Sequence, residues 1–400
     1  MSSTTGGRPP PISASPPVRP EGTHSLGERA ELLTESALKP HLSQLSKHSD
    51  TPLALNVHLP FCPSRCLSCD RIAVVQHEPG EIEHYVANLA KEVARTSELI
   101  GHRRALSRVH FGGGSPNHLS ELALATVFSH IDEHFVVDAN VQKEIGRIHS
   151  LELLEDVISI AHGVNFESIG MDYLIGLPGQ TVESCAQSIE AILSLGPDWL
   201  VCLPFQRRES LFPHQIAVDS QHLPSLTDRM VMFNQVQTDL TEAGYEWVGL
   251  NMFAKPQHEL AVAQRDGALA LNVLGYGTDA DLSVLGVGLG ALGELPRLVT
   301  QNQTNLADWH QQVESGSLSV ASAVRSDDSE VLQRKVMRSL MCRQSISVDS
   351  LTETQRESWI RPLARQGYAD EALGGYRLTE LGLTMLPHVW TDSSPAFRAF

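Results

Sequence analysis

Three of the six cysteines in this chain of 400 residues fall within eight positions, Cys62-Pro-Ser-Arg-Cys66-Leu-Ser-Cys69. They directly follow Leu53-Ala-Leu-Asn-Val-His-Leu-Pro-Phe61. Leu53, Leu55, Val57 and Leu59 alternate there with Ala54, Asn56, His58 and Pro60, the period of a half-buried strand. A strand that runs into a thiol-rich loop places those thiols at a sheet edge.

The segments that follow keep the same grammar. A helix is expected over Glu81–Ser97, a strand over Ser107–Phe111 ahead of Gly112-Gly113-Gly114-Ser115-Pro116, and a helix over Ser120–His134. Ser150–Gly163 is helical with Ser150 as N-cap, Ser168–Leu174 a strand, Val182–Leu195 a helix and Trp199–Leu203 a strand. Alternation of this kind predicts an α/β fold with a mainly parallel sheet, whose functional loops lie at the C-terminal ends of the strands. The interval between the Gly112 loop and the strand at Ser168 is too short for two further strand–helix units at about 30 residues each. Only Phe135-Val136-Val137 remains there as a strand candidate. The sheet is therefore expected to be short by one βαβ unit.

After Phe205 the pattern shifts. A helix is expected around Ser225–Ala243, a strand over Glu246–Phe253, a Gly-rich apolar segment at Val284–Gly293, and helices around Asp308–Gly316 and Glu330–Met341. The end of the chain predicts a small helical or winged-helix unit. The expected organisation is a tail at residues 1–25, a core domain at 26–295 and a C-terminal domain at 296–400. The tail is rich in Pro, Ser, Gly and Thr and poor in large apolar side chains, which predicts disorder.

Composition narrows the function classes. Hydrophobic residues make up 42% and charged residues 19% of the chain, enough for real cores. No apolar run approaches the roughly 20 residues of a membrane helix, and the N-terminus lacks the apolar core of a secretion signal. A cytoplasmic protein is expected. A net charge of −17 and a pI near 5.5 argue against nucleic-acid or anionic-membrane partners.

Cysteines are too few for a disulfide scaffold, and Cys185, Cys202 and Cys342 read as inert core thiols. The C-x3-C-x2-C loop needs another explanation. Soft thiolates are the usual ligands of a [4Fe–4S] cluster, and three of them leave one iron open. Structural zinc is the competing reading, with His58 as the nearest fourth ligand; three incidental thiols is the other. The glycines at 112–114 permit close backbone approach to a ligand, though tight turns need glycine too. Asp172 lies inside a strand, where a carboxylate among apolar neighbours calls for a partner, a ribose hydroxyl or a salt bridge.

These stretches together resemble the oxygen-independent coproporphyrinogen III oxidases and the related heme chaperones, over about residues 50 to 385. The resemblance rests on Val57-His58-Leu59-Pro60-Phe61-Cys62 with its cysteine loop, His110-Phe111-Gly112-Gly113-Gly114-Ser115-Pro116, Met171-Asp172-Tyr173-Leu174-Ile175-Gly176-Leu177-Pro178-Gly179-Gln180-Thr181, and Phe253-Ala254-Lys255-Pro256 with Glu259–Arg265.

The resemblance implies a radical S-adenosylmethionine (SAM) fold, a partial (β/α) barrel. It implies a [4Fe–4S] cluster on Cys62, Cys66 and Cys69, and SAM contacts from Gly113, Gly114 and Ser115. It gives Arg147, in a segment like the family's helix start, the SAM carboxylate, and Asp172 the ribose. Asn56, Ser68 and Gln206 occupy further SAM-lining positions. Asn56 replaces a tyrosine and Ser68 an aromatic residue; Asp70-Arg71 replaces Gly-Cys, and Asn251-Met252 an Asp-His pair. The implied reaction is oxidative decarboxylation of coproporphyrinogen III to protoporphyrinogen IX, by a monomer that takes a porphyrinogen or other tetrapyrrole with an electron donor and acceptor. The alternative is a catalytically degenerate paralogue that carries heme or porphyrin. No side chain is singled out as a catalytic acid, base or nucleophile. Arg207, Arg208, Lys255 and Arg265 are candidates for a tetracarboxylate, weighed against simple surface solvation.

Overall fold

The structure, a computed structural model, describes residues 30–47, 51–137, 143–144 and 168–386, apart from residues 67, 70, 77, 102, 116–117, 206, 208, 210–211, 373 and 384–385. The expected tail, the helix expected at Ser150–Gly163, Arg147 and Gln206 lie outside the described residues.

Alternation at residues 53–59 makes β2 (Leu53–Leu59), which follows a short β1 (Glu31–Leu32) and a helix α1 (Glu35–Lys47). Leu53, Leu55, Val57 and Leu59 are all buried on one face. They pack against Ile82, Val86 and Leu89 of α2 (Pro79–Leu99) and Val127 and Ile131 of α3 (Glu121–His134). Each such side chain contributes roughly 1.5–3 kcal/mol by burial. Proline at the start of α2 and the Ser120 hydroxyl, which accepts from Ala123 N at 3.2 Å, fix where these helices begin. The opposite face of β2 carries Ala54, Asn56 and His58, and Ala54 packs in a separate buried cluster with Val284 and Val299.

Between them run β3 (Phe61–Cys62), β4 (Val74–Val75), β5 (Ala105–Leu106) and β6 (Arg108–Gly113). β6 is parallel to β2 in a register that sets Leu59 opposite Gly113, so both strands end at the same edge. β7 (Val136–Val137), the weak strand candidate of the sequence, pairs with β5 rather than joining the main sheet. β8 (Lys143–Glu144) pairs in parallel with β6. The stretch expected to open a helix is therefore extended at these two residues.

β9 (Gly170–Ile175) and β10 (Trp199–Pro204) are parallel and flank α4 (Val182–Leu195). Among the described residues β9 pairs with β10 and not with β8, and a second sheet begins there. α5 (Leu226–Glu242) packs with α4 on this sheet through Ile189, Met232, Val236 and Leu240. The single strand expected at Glu246–Phe253 is instead a hairpin, β11 (Glu246–Val248) and β12 (Met252–Ala254), turning at Gly249 with φ +60°. Its order is β11-β12-β10-β9.

Beyond α6 (Glu259–Arg265), β13 (Ala270–Asn272) and β14 (Gly275–Gly277), the chain returns to the first sheet. β15 (Ser283–Val287) pairs in parallel with β2, and β16 (Leu292–Leu295), β17 (Leu298–Asn302) and β18 (Val320–Arg325) extend it antiparallel, with α7 (Leu306–Glu314) between the last two. The order is β1-β18-β17-β16-β15-β2-β6-β8. The boundary expected between residues 295 and 296 thus falls inside the β16–β17 hairpin, because strand pairing runs across it.

α8 (Asp328–Arg343) leads into the last unit, helical turns at residues 348–365 and a small antiparallel sheet of β19 (Ser345–Ser347), β20 (Ala369–Ala372) and β21 (Gly375–Leu378). It shares one core with the β11–β12 hairpin and α6, through Val248, Leu260, Leu340 and Leu378. Glu294 of β16 fastens α8 to the sheet: Arg338 grips both its oxygens at 2.6 and 3.0 Å, and Val273 N donates to it at 3.0 Å.

Candidate active site at the cysteine loop

Cys62, Cys66 and Cys69 are half-buried thiols on the loop that leaves β2. The loop is tied down by its own backbone: Val74 N donates to Pro60 O at 2.8 Å, Gln76 N to Cys62 O at 3.4 Å and Cys69 N to Cys66 O at 3.1 Å. The Arg65 guanidinium donates to the Ala73 carbonyl. Ser68 sits half-buried on the turn between Cys66 and Cys69.

His58 does not reach this loop as a fourth ligand. Its Nε2 lies 2.9 Å from the Ile72 carbonyl, under Gly113. Burial, reinforced by Arg71 and His110, pushes the ring down to about 4 from 6.5, against the opposing Ile72 contact, so it stays neutral. The zinc reading loses its nearest completing group. Three thiols with no fourth side chain from His58 fit a cluster that keeps one iron open.

The glycine turn at the end of β6 approaches this loop closely. Gly113 has φ +107°, and a Cβ there would lie 2.4 Å from His58 Nε2; one on Gly114 would lie 2.4 Å from Phe61 O. Gly114 N donates to Leu59 O at 2.7 Å and Ser115 N to Phe61 O at 2.8 Å. These amides are spent on β2 and the cysteine loop, so a ligand meeting the turn meets carbonyl oxygens, the partners a protonated amine requires. Ser115 Oγ lies 3.7 Å from Cys62 Sγ.

The remaining sequence candidates divide. Asn56, on the face of β2 opposite Leu55 and Val57, donates through Nδ2 to Leu292 O at 2.8 Å. Asp172 on β9 is exposed rather than enclosed by apolar neighbours, and its carboxylate stands 4.0 Å from the Arg71 guanidinium just past the cysteines. That pair links the cysteine loop to the second sheet. Lys255 and Arg265 sit at the other end of that sheet, because β12 runs antiparallel to β10. Lys255 Nζ bonds Asp198 at 3.0 Å, before β10 begins, and Arg265 pairs with Glu246. Arg207 is on the cysteine-loop side and donates to Gln215 O at 3.1 Å; Arg208 lies outside the described residues. Cys185, Cys202 and Cys342 are buried, and burial raises all three thiols.

Two residues that sequence reasoning missed hold the third cysteine. His214 Nε2 lies 2.8 Å from the Cys69 carbonyl, and Gln215 Nε2 donates to the same oxygen at 3.0 Å. Both stand on a 3-10 turn, Pro213–Ala217, after β10. Their only sequence signal is position: polar side chains following the C-terminal end of a parallel strand.

No family model matches the chain. It is 26% identical to the oxygen-independent coproporphyrinogen III oxidase of Salmonella typhimurium, over 87% of this chain and 86% of that protein. It is 25% identical to the Escherichia coli protein of the same name, over 95% and 91%. The Pseudomonas aeruginosa protein of that name is 26% identical over 78% and 76%. The solved coproporphyrinogen III oxidase HemN from Escherichia coli, described as a radical SAM enzyme, superposes with a TM-score of 0.79 at 24% identity, covering 92% of this chain and 94% of that one.

Proposed function

We propose that this chain, similar over most of its length to the oxygen-independent coproporphyrinogen III oxidases, is a radical SAM oxidoreductase of porphyrin biosynthesis, converting coproporphyrinogen III to protoporphyrinogen IX. The observation that carries this reading is the loop of three half-buried thiols beside the Gly113–Ser115 turn, with Cys62 Sγ 3.7 Å from Ser115 Oγ.

Cys62, Cys66 and Cys69 would hold a [4Fe–4S] cluster, which would supply an open iron for SAM and the electron for its reductive cleavage. The carbonyls of Gly113 and Gly114 receive the SAM amino group, and Ser115, Asn56 and Ser68 line the same pocket. Arg147 takes the carboxylate, Asp172 the ribose, and Gln206 a further contact. Each of two substrate propionates loses a hydrogen atom from its β-carbon and its carboxyl group as carbon dioxide. One electron per side chain passes to an acceptor, and a vinyl group remains.

On this reading the scaffold is a radical SAM partial barrel shortened by one βαβ unit between about Asn140 and Val141, ahead of β8, and followed by a mainly helical or winged-helix C-terminal domain. No described helix is long and apolar enough to cross a membrane, and we place the enzyme in the cytoplasm as a monomer. A degenerate heme or porphyrin carrier has no observation that favours it over the enzyme.

Anaerobic reconstitution tests the reading. Bound iron and sulfide in a cluster ratio, 5′-deoxyadenosine formed with SAM and dithionite, and loss of coproporphyrinogen are expected. A protein that takes up no cluster, or that holds one without cleaving SAM, overturns it.

A further inference from the structure

Away from the cysteine loop, α2 and α7 pack together and bring two matched pairs of side chains face to face. His84 and Asn88 stand one turn apart on α2, and His310 and Glu314 one turn apart on α7. Spacing of i, i+4 puts each pair on a single helix face. The ligand-capable atoms of His84, His310 and Glu314 all lie within 4.8 Å of one another. The two imidazoles stack with centroids 4.3 Å apart and planes 7° from parallel, and His84 Nε2 is 2.7 Å from Glu314 Oε1.

One amide nitrogen occupies the point on which they converge. Asn88 Nδ2 lies 2.7 Å from His310 Nδ1, 3.1 Å from Glu314 Oε1 and 3.4 Å from His84 Nε2, while Lys91 Nζ donates to its Oδ1 at 2.8 Å. Asn88 and Trp309 are fully buried and form the floor; His84 and Glu314 open to solvent. We propose that His84, His310 and Glu314 form a binding site for a divalent transition-metal ion of the zinc class, bridging α2 and α7. Two imidazole nitrogens and one carboxylate suit that class, whereas magnesium and calcium call for oxygen donors throughout. Turning the Asn88 amide offers Oδ1 as a further ligand, and solvent fills the open position.

The ion would clamp α7 to the helix whose Tyr85 hydroxyl donates to His58 O at 2.7 Å, beneath the cysteine loop. The site does not depend on the proposed reaction.

Zn2+ titration by calorimetry tests it, in the cluster-loaded protein and in a Cys62→Ser, Cys66→Ser, Cys69→Ser background that removes thiolate binding. A single equivalent is expected in both, with a Kd on the order of 1 μM. His84→Ala and the isosteric Glu314→Gln should each weaken it by about tenfold or more. His130→Ala, which opens the other His/Glu group at His130, Glu133 and His134 on α3, should leave it unchanged. Metal-free circular dichroism melts identical to the parent show that each variant is folded. Affinities within about twofold of the parent in both His84→Ala and Glu314→Gln, loss confined to His130→Ala, or no binding in the triple-serine background overturn the proposal.

Discussion

Gln215 donates from Nε2 to the carbonyl oxygen of Cys69 at 3.0 Å, from a side chain that is fully buried. The loop after β10 thereby holds the backbone of the third cysteine from across the site. Gln215→Leu removes a hydrogen bond worth about 1 kcal/mol and leaves the His214 contact with that oxygen in place. Cluster loss under anaerobic chelator challenge should accelerate about fivefold, with global melting little changed. An unaltered rate would show that the contact does not constrain the cysteine.

His58 makes stability sensitive to acid. Its folded pKa, about 4, lies below the ordinary 6.5, so the native state binds fewer protons than the unfolded chain between those values. The stabilisation is present above pH 6.5 and is lost as pH falls towards 4. Between pH 7 and pH 5 the cluster-free chain should lose about 2 kcal/mol through this group. Urea midpoints at the two pH values check it, and His58→Gln should flatten the difference.

Arg338 and Glu294 form a nearly buried ion pair, with side chains 13% and 8% exposed. Arg338→Met removes the bidentate partner and leaves Glu294 beside Arg334 at 3.9 Å and Val273 N, and should cost about 1.5–3 kcal/mol. Adding Glu294→Gln should restore part of that loss. Denaturant unfolding of the single and double variants separates the charge effect from lost packing.

Arg71 competes for Asp172. If Asp172 receives the SAM ribose, the ion pair at 4.0 Å must open first. An exposed pair of this kind is worth up to about 1 kcal/mol. Arg71→Gln should therefore tighten SAM binding by up to about fivefold in the reconstituted protein, read by equilibrium dialysis. Weaker binding would assign Arg71 itself to the ligand.

Much of this architecture is legible in residue order because local patterns dictate it. Alternation at 53–59 and the apolar stripe of α2 are properties of neighbouring residues, and the cysteines lie in one loop. The Glu246–Phe253 segment misled because its apolar residues match one strand as well as two; only the left-handed backbone at Gly249 divides them. Lys255 and Arg265 misled for a topological reason: an antiparallel strand delivers its end to the wrong edge. The His214 and Gln215 contacts with Cys69 span about 145 positions, a distance at which no periodicity carries information. The domain boundary was hidden likewise, since β15–β18 join a sheet begun more than two hundred residues earlier.

Glu92 gathers donors from four separate places. Gly288 N at 2.7 Å, Ser319 N at 3.1 Å, and Trp309 Nε1 and Asn302 Nδ2 at 3.3 Å each all meet its buried carboxylate, as does the Ser319 hydroxyl. None of these segments can open alone without stranding its polar groups or the acid. The middle of α2, the 288–289 loop, the end of β17, the start of α7 and the start of β18 should therefore exchange their amide hydrogens together, as one cooperative unit.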